Sequence, residues 1–241
     1  MVVPLQDEAQ TVRALLNSIR RQVRPPDELI LVDAGSEDDT IRRAAAVSLP
    51  FPVKVVSLGR VFPGVARNEG IRVARSEWIA FTDGGIQLAD SWLEELLRVA
   101  RDDTDVVFGA FDPVCDTLLR QSAALAYVPS RDRRGSRGRS IASCLVSRGA
   151  LAQTGGFPDH RAAEDLVFFE RLRSIGAREA WAPGARVAWQ LPGTVRAIFN
   201  RFFLYSEHNL RAGWGRHWHR GLARLYACLV LGLGAAVALG A

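Results

Sequence analysis

Three acidic positions in this sequence stand where carboxylates can do chemistry. Leu29-Ile30-Leu31-Val32 is a short apolar run that ends at Asp33, and residues 78–82 form a second run that ends at Asp83. Glu164-Asp165 opens a helical pattern over residues 163–175, with Leu166, Phe169, Leu172 and Ile175 apolar and Gly176 behind it. Carboxylates in such positions accept N–H hydrogen bonds, hold hard cations or take up protons. Each also has an ordinary reading. Asp33 with Gly35 suits a plain turn, and acids opening a helix complement its dipole. Asp33 and Asp83 share one further property, because both fall at the carboxyl end of a strand, where open α/β sheets bind their ligands.

The elements that must position these acids alternate between strand and helix through the first hundred residues. Val12, Leu15, Leu16, Ile19 and Val23 recur at helical spacing until Pro25-Pro26. Ser36-Glu37-Asp38-Asp39 resembles a capping box opening the next helix. A strand over Val53–Ser57, a helix over 66–74, a helix over 90–101 and a strand over 106–109 follow. This order predicts an α/β fold with a mostly parallel sheet flanked by helices. The second half is less regular. It holds a basic, glycine-broken loop over 131–139 and a short helix over 147–153 stopped by Gly155-Gly156. An amphipathic helix over 194–210 places Val195, Ile198, Phe199, Phe202 and Tyr205 on one side, with Arg196, Arg201, His208 and Arg211 charged.

The chain of 241 residues is long enough to bury one sizeable α/β core. Its net charge of +5 is concentrated between Gln190 and Arg224, where six arginines face the single acid Glu207. The seventeen residues 225–241 carry no charge and reach the lower edge of a membrane-spanning helix. Basic residues just ahead of such a run place the preceding domain on the cytoplasmic side of a membrane, which argues against nucleic acid as the partner. The Trp214 and His217-Trp218-His219-Arg220 stretch reads as an interfacial belt. Cys115, Cys144 and Cys228 are odd in number and far apart, so neither a disulfide framework nor a zinc site is expected. Val2-Val3-Pro4 reads directly as a first strand, without a signal peptide.

Six segments occur in a fixed order. They are Pro4-Leu5-Gln6-Asp7-Glu8, residues 31–40 around Asp33, Ala66-Arg67-Asn68-Glu69-Gly70, Phe81-Thr82-Asp83-Gly84-Gly85, Gly155-Gly156-Phe157 and Glu164-Asp165. Over residues 1–190 this set resembles the family 2 glycosyltransferases of the Rossmann-like GT-A fold. The resemblance implies an enzyme that moves a sugar from a nucleoside-diphosphate donor with inversion at the anomeric carbon. Asp33 would hydrogen-bond the donor base, with Pro4 and Glu8 beside it. Asp83, first residue of the family's D-x-D motif, would hold Mg²⁺ or Mn²⁺ at the diphosphate. Asp165 would be the general base, with Glu164 as its neighbour. Arg67 and the 131–139 loop could neutralise phosphate. The sequence departs from the pattern at Ala34, at Gly85, where the last acid of D-x-D is missing, and at Trp189, where many relatives carry histidine. Those departures keep a non-catalytic, membrane-anchored binding module as an alternative. A sugar nucleotidyltransferase or a dinucleotide-binding dehydrogenase would need a glycine-rich first turn, which Pro4–Gln10 lacks. The expected organisation is a catalytic domain over 1–190, basic interfacial helices over 191–224 and a transmembrane helix over 225–241 that the chain end truncates. The expected partners are a nucleotide sugar, the cytoplasmic membrane and a lipid-linked or other membrane-proximal acceptor.

Overall fold

The structure, a computed structural model, describes residues 1–211 apart from 134, 136 and 162, together with 213, 215, 220 and 227. Strand β1 (Val2–Leu5) is buried at all four positions, and its neighbour β2 (Leu29–Asp33) at all five. Burial on both faces explains why these strands are continuous apolar runs, since helices must cover the sheet above and below. After β1 come α1 (Val12–Arg20), β2, α2 (Thr40–Ala45), β3 (Val53–Ser57), α3 (Pro63–Val73) and β4 (Trp78–Phe81). The chain continues through β5 (Ile86–Leu88), α4 (Trp92–Val99), β6 (Val106–Val114), α5 (Leu118–Tyr127), β7 (Cys144–Ser147) and α6 (Arg148–Thr154). It closes with α7 (Glu164–Ser174), β8 (Glu179–Gln190) and α8 (Val195–Arg211).

Adjacent residues of β1 feed two different cores. Val3 and Leu5 pack with Leu15, Leu16 and Ile19 of α1 and Trp92 of α4. Val2 packs on the opposite face with Phe81, Phe108 and the α7 residues Phe168 and Leu172. Helix α3 lies against that second face at very short range. A Cβ on Gly70 would come within 2.3 Å of Val2 Cγ1, so glycine sets the approach of the helix that carries Arg67.

The sheet order is β3-β2-β1-β4-β7-β6-β8-β5. The first four strands are parallel, as expected, but β7 runs antiparallel to both β4 and β6, and β5 runs antiparallel to β8. The sheet is mostly parallel as expected, with six of eight strands in one direction, and it is mixed because β5 and β7 are reversed. The α/β alternation that implies parallel crossovers stops after β4, because β5 follows through a short turn and β7 enters the sheet from the other end.

Two local expectations also change. Val23 is exposed, because α1 ends at Arg20 and the chain turns so that the Val23 N–H reaches the Asp90 carbonyl at 2.8 Å. Residues 36–39 do not form a capping box, since no side chain caps α2. Their side chains instead fasten the turn after β1. Asp38 accepts the N–H of Ala9 at 3.0 Å, and the Thr40 hydroxyl, at the start of α2, accepts the N–H of Glu8 at 2.7 Å. At α6 the expectation holds, with Ser147 capping the start and left-handed Gly155 ending it. Residues 225–241 lie outside the described residues save Ala227, as do Trp214 and 216–219. Among the described residues, no helix is long and apolar enough to cross a membrane.

Candidate active site

A cleft of about 630 Å³ opens at the carboxyl ends of β1 and β4. Pro4, Gln6 and Glu8 enter it from the turn after β1, and Ala34 from the turn after β2. Arg67 arrives from α3, Asp83 from beyond β4, and Glu164 and Asp165 from the first turn of α7. Six of the seven residues singled out in the sequence thus line one cavity, although 161 positions separate the first from the last.

The centre of the site is the Arg67 guanidinium. Its side chain is 3% exposed, and it donates from Nη2 to Asp83 Oδ1 at 2.6 Å and from Nη1 to Glu164 Oε1 at 2.8 Å. The cation also lies 5.4 Å from the Phe157 ring centroid. Burial alone would favour the neutral form, but the two carboxylates outweigh it and hold Arg67 above its ordinary range. The Nε of Arg67 has no hydrogen-bond partner among the described residues.

The two acids that open α7 differ sharply in their surroundings. Glu164 is committed to Arg67, whereas the Asp165 carboxylate accepts the N–H of Leu166 at 2.9 Å. Burial, and then the charge of Glu164, push Asp165 up to about 7, against the lowering pull of Arg67. A carboxyl titrating there is suited to exchange protons near neutral pH. Ala163, the residue before the pair, has φ +63°, a left-handed conformation that costs a residue with a Cβ about 1–2 kcal/mol. Asp7, the residue before Glu8, has φ +55°. Among the described residues these are the only two non-glycines so placed, and each immediately precedes an acid of the cleft.

Glu8 is raised by burial and by the charge of Asp83, against the lowering effect of the Thr11 hydroxyl that donates to it. Asp33 sits just outside the cleft lining. It is buried, its Oδ1 accepts the N–H of Ser36 at 3.0 Å, and it holds the turn from which Ala34 meets the cavity.

The basic loop pairs with acids away from the cleft. Asp112 gathers Arg131, Arg137 at 3.5 Å and Arg186 at 2.5 Å, and Arg139 pairs with Glu179 at 2.8 Å. None of these arginines lines the cleft. Arg161 and Arg201 line it, and the first donates to Gln6 at 2.8 Å. Trp189 packs edge-to-face on Phe111 and lies beneath the Arg201 guanidinium at 5.7 Å.

Helix α8 does not present the single apolar side that its sequence spacing predicts. Its real division puts Arg201, Tyr205 and Asn209 on the cleft and leaves Val195, Phe199, Phe203 and Leu210 exposed. The i, i+4, i+8 spacing of those three polar residues was the available signal for a second functional face. The cleft is therefore not confined to residues 1–190.

The mixed α/β sheet flanked by helices, with an acidic and arginine-bearing cleft at the carboxyl ends of its strands, defines a GT-A-like fold. Residues 1–150 match the model of Glycosyl transferase family 2, and the chain belongs to that family. It is 34% identical over 110 residues to a Bacillus subtilis protein named as a glycosyltransferase, EpsH, covering 44% of this chain and 31% of that one. It is 26% identical over 203 residues to the O-antigen chain rhamnosyltransferase WbaN of Salmonella anatum, covering 78% of this chain and 64% of WbaN. The chain thus spans less than two thirds of either relative. Among solved structures, the mannosyltransferase PcManGT of Pyrobaculum calidifontis, in complex with GDP-Man and Mn²⁺, superposes with a TM-score of 0.66 at 21% identity. That superposition covers 99% of this chain and 79% of PcManGT.

Proposed function

We propose that the chain transfers a sugar from a nucleoside-diphosphate donor to a hydroxyl group of a lipid-linked or other membrane-proximal acceptor, with inversion at the anomeric carbon. The observation that carries this reading is the division of labour between Glu164 and Asp165. One acid is locked to Arg67, and its neighbour is left with a proton affinity near neutrality. Asp165 takes the acceptor proton as the hydroxyl attacks. A single base and a single displacement invert the configuration. Pro4, Glu8 and the Asp33 turn receive the nucleotide, while Arg67 fixes Asp83 and Glu164 relative to each other.

A divalent cation, when bound, would neutralise the diphosphate leaving group. Asp83 fits this role through hard carboxylate oxygens, and its side chain is 37% exposed even with Oδ1 engaged by Arg67. Arg161 and Arg201 add positive charge at the same cleft.

Attachment to the cytoplasmic face of a membrane is supported by the exposed Val195, Phe199 and Phe203 of α8, with Arg196 and Arg211 on the same helix. In this organisation residues 1–190 and the cleft face of α8 form the catalytic body, and the exposed face of α8 lies at the interface. The test is radiolabelled transfer from UDP- and GDP-sugars to a membrane lipid extract, paired with a thermal-shift screen of nucleoside diphosphates. Stabilisation by one nucleotide and a labelled lipid product are expected. A protein that no nucleotide stabilises, and that yields no product with any donor, contradicts the proposal.

A further inference from the structure

Two glycines follow Asp83, and the space beside them is filled by Glu8. A Cβ on Gly84 would lie 2.6 Å from Glu8 Cγ, too close for any side chain. A Cβ on Gly85 would lie 3.8 Å from Glu8 Oε1 and 3.7 Å from Oε2, an ordinary contact distance. Position 85 is where the resemblance calls for the last acid of the cation motif. The Glu8 carboxylate therefore borders the volume that an acid at 85 would enter.

We propose that Glu8 is the second carboxylate of the cation site, delivered across the cleft from the turn after β1 in place of an acid at position 85. Glu8 and Asp83 together hold Mg²⁺ or Mn²⁺ against the donor diphosphate. The inference rests on the donor-binding reading above. The turn that carries Glu8 is fixed for the purpose, because the Glu8 and Ala9 N–H groups are both taken up by residues at the start of α2. Thr11 holds the carboxylate itself through its hydroxyl. Two carboxylates are also what the chemistry asks for. Mg²⁺ at phosphate sites takes one or two carboxylates and completes its shell with water and substrate oxygens. Among the described residues no three acids, histidines or cysteines gather into a protein-only cage. Glycine at 84 is what lets Glu8 reach this place, and glycine at 85 is what leaves the cation room beside it.

The test is Mn²⁺ uptake, read from the loss of the free-ion paramagnetic resonance signal, with UDP or GDP present. Glu8→Gln should weaken Mn²⁺ binding by about tenfold or more, at least the loss that follows removal of an outer-shell partner. Nucleotide affinity without metal is measured in the same samples, and a loss of nucleotide and Mn²⁺ binding by equal factors overturns the proposal. Glu8→Gln combined with Gly85→Asp should recover most of the affinity, because position 85 has room for a side chain. If Glu8→Gln does not fold, Glu8→Asp, with a shorter reach, supplies the same comparison. Wild-type Mn²⁺ affinity in Glu8→Gln overturns the proposal. Nucleotide binding by the wild type with no Mn²⁺ uptake also overturns it, while leaving the donor reading intact. Loss of nucleotide binding in the wild type contradicts both.

Discussion

Arg67 donates to Glu164 at 2.8 Å across 97 residues of sequence, while Asp165, the next residue, has its carboxylate turned to the N–H of Leu166. One cation thus sorts two adjacent acids. Glu164 is fixed as a structural partner, and Asp165, half-buried beside it, keeps a proton affinity near neutrality.

The first consequence is a pH profile. A base must be deprotonated to act, so transfer should rise about tenfold per unit below pH 7 and level off above it. Stability runs the other way. The folded pKa of Asp165, about 7, is above the unfolded value of about 3.9, so its contribution is complete below about 3.9 and lost as pH rises through 7. Asp165→Asn should accordingly raise the melting temperature at pH 8 and leave it nearly unchanged at pH 4. A uniform shift at both pH values would contradict the assignment.

Removing the sorting cation should be severe. Arg67→Ala leaves Glu164 buried without its partner, and breaking buried ion pairs in this way costs about 3–5 kcal/mol. Denaturant melts measure the loss, and a change below about 1 kcal/mol would show that water reaches the carboxylates freely.

Gly70→Ala tests how Arg67 is positioned. The added methyl meets Val2 at 2.3 Å and pushes α3 away from β1. Overpacking of this kind costs about 1–3 kcal/mol. Transfer should fall as well, because Arg67 moves with the helix. Full activity in a destabilised protein would separate the packing from the site.

Much of this was legible in the sequence. The acidic residues were found because short apolar runs and ordered motifs mark the ends of β1, β2 and β4 and the start of α7. Strand direction was not legible. Cys144-Leu145-Val146-Ser147 is too short to carry a period, and Pro183-Gly184 interrupts the pattern of β8, where the pairing with β6 shifts register between Phe108 and Ala110. The fate of the basic loop was hidden too, because Asp112, which gathers three arginines, is distant from them in sequence. The cleft face of α8 rests on Arg201, Tyr205 and Asn209, whose polar spacing is masked in the sequence by the apolar residues between them.

The exposed residues of α8 give a prediction about the membrane. Burying a phenylalanine side chain contributes about 1.5–3 kcal/mol. Phe199→Ser with Phe203→Ser should therefore weaken binding to anionic vesicles by at least about tenfold in a sedimentation assay. Unchanged sedimentation would place the anchor elsewhere on the chain.

The central claim is tested most directly by comparing Asp165→Asn and Glu164→Gln for sugar transfer at saturating donor, with nucleotide binding measured in the same preparations. Asp165→Asn should lose roughly 10²–10⁴-fold in turnover and bind nucleotide like the wild type, the range expected for loss of a general base. Glu164→Gln should lose stability first and retain measurable turnover. Near-normal turnover in Asp165→Asn, with the large loss falling on Glu164→Gln, would contradict the account.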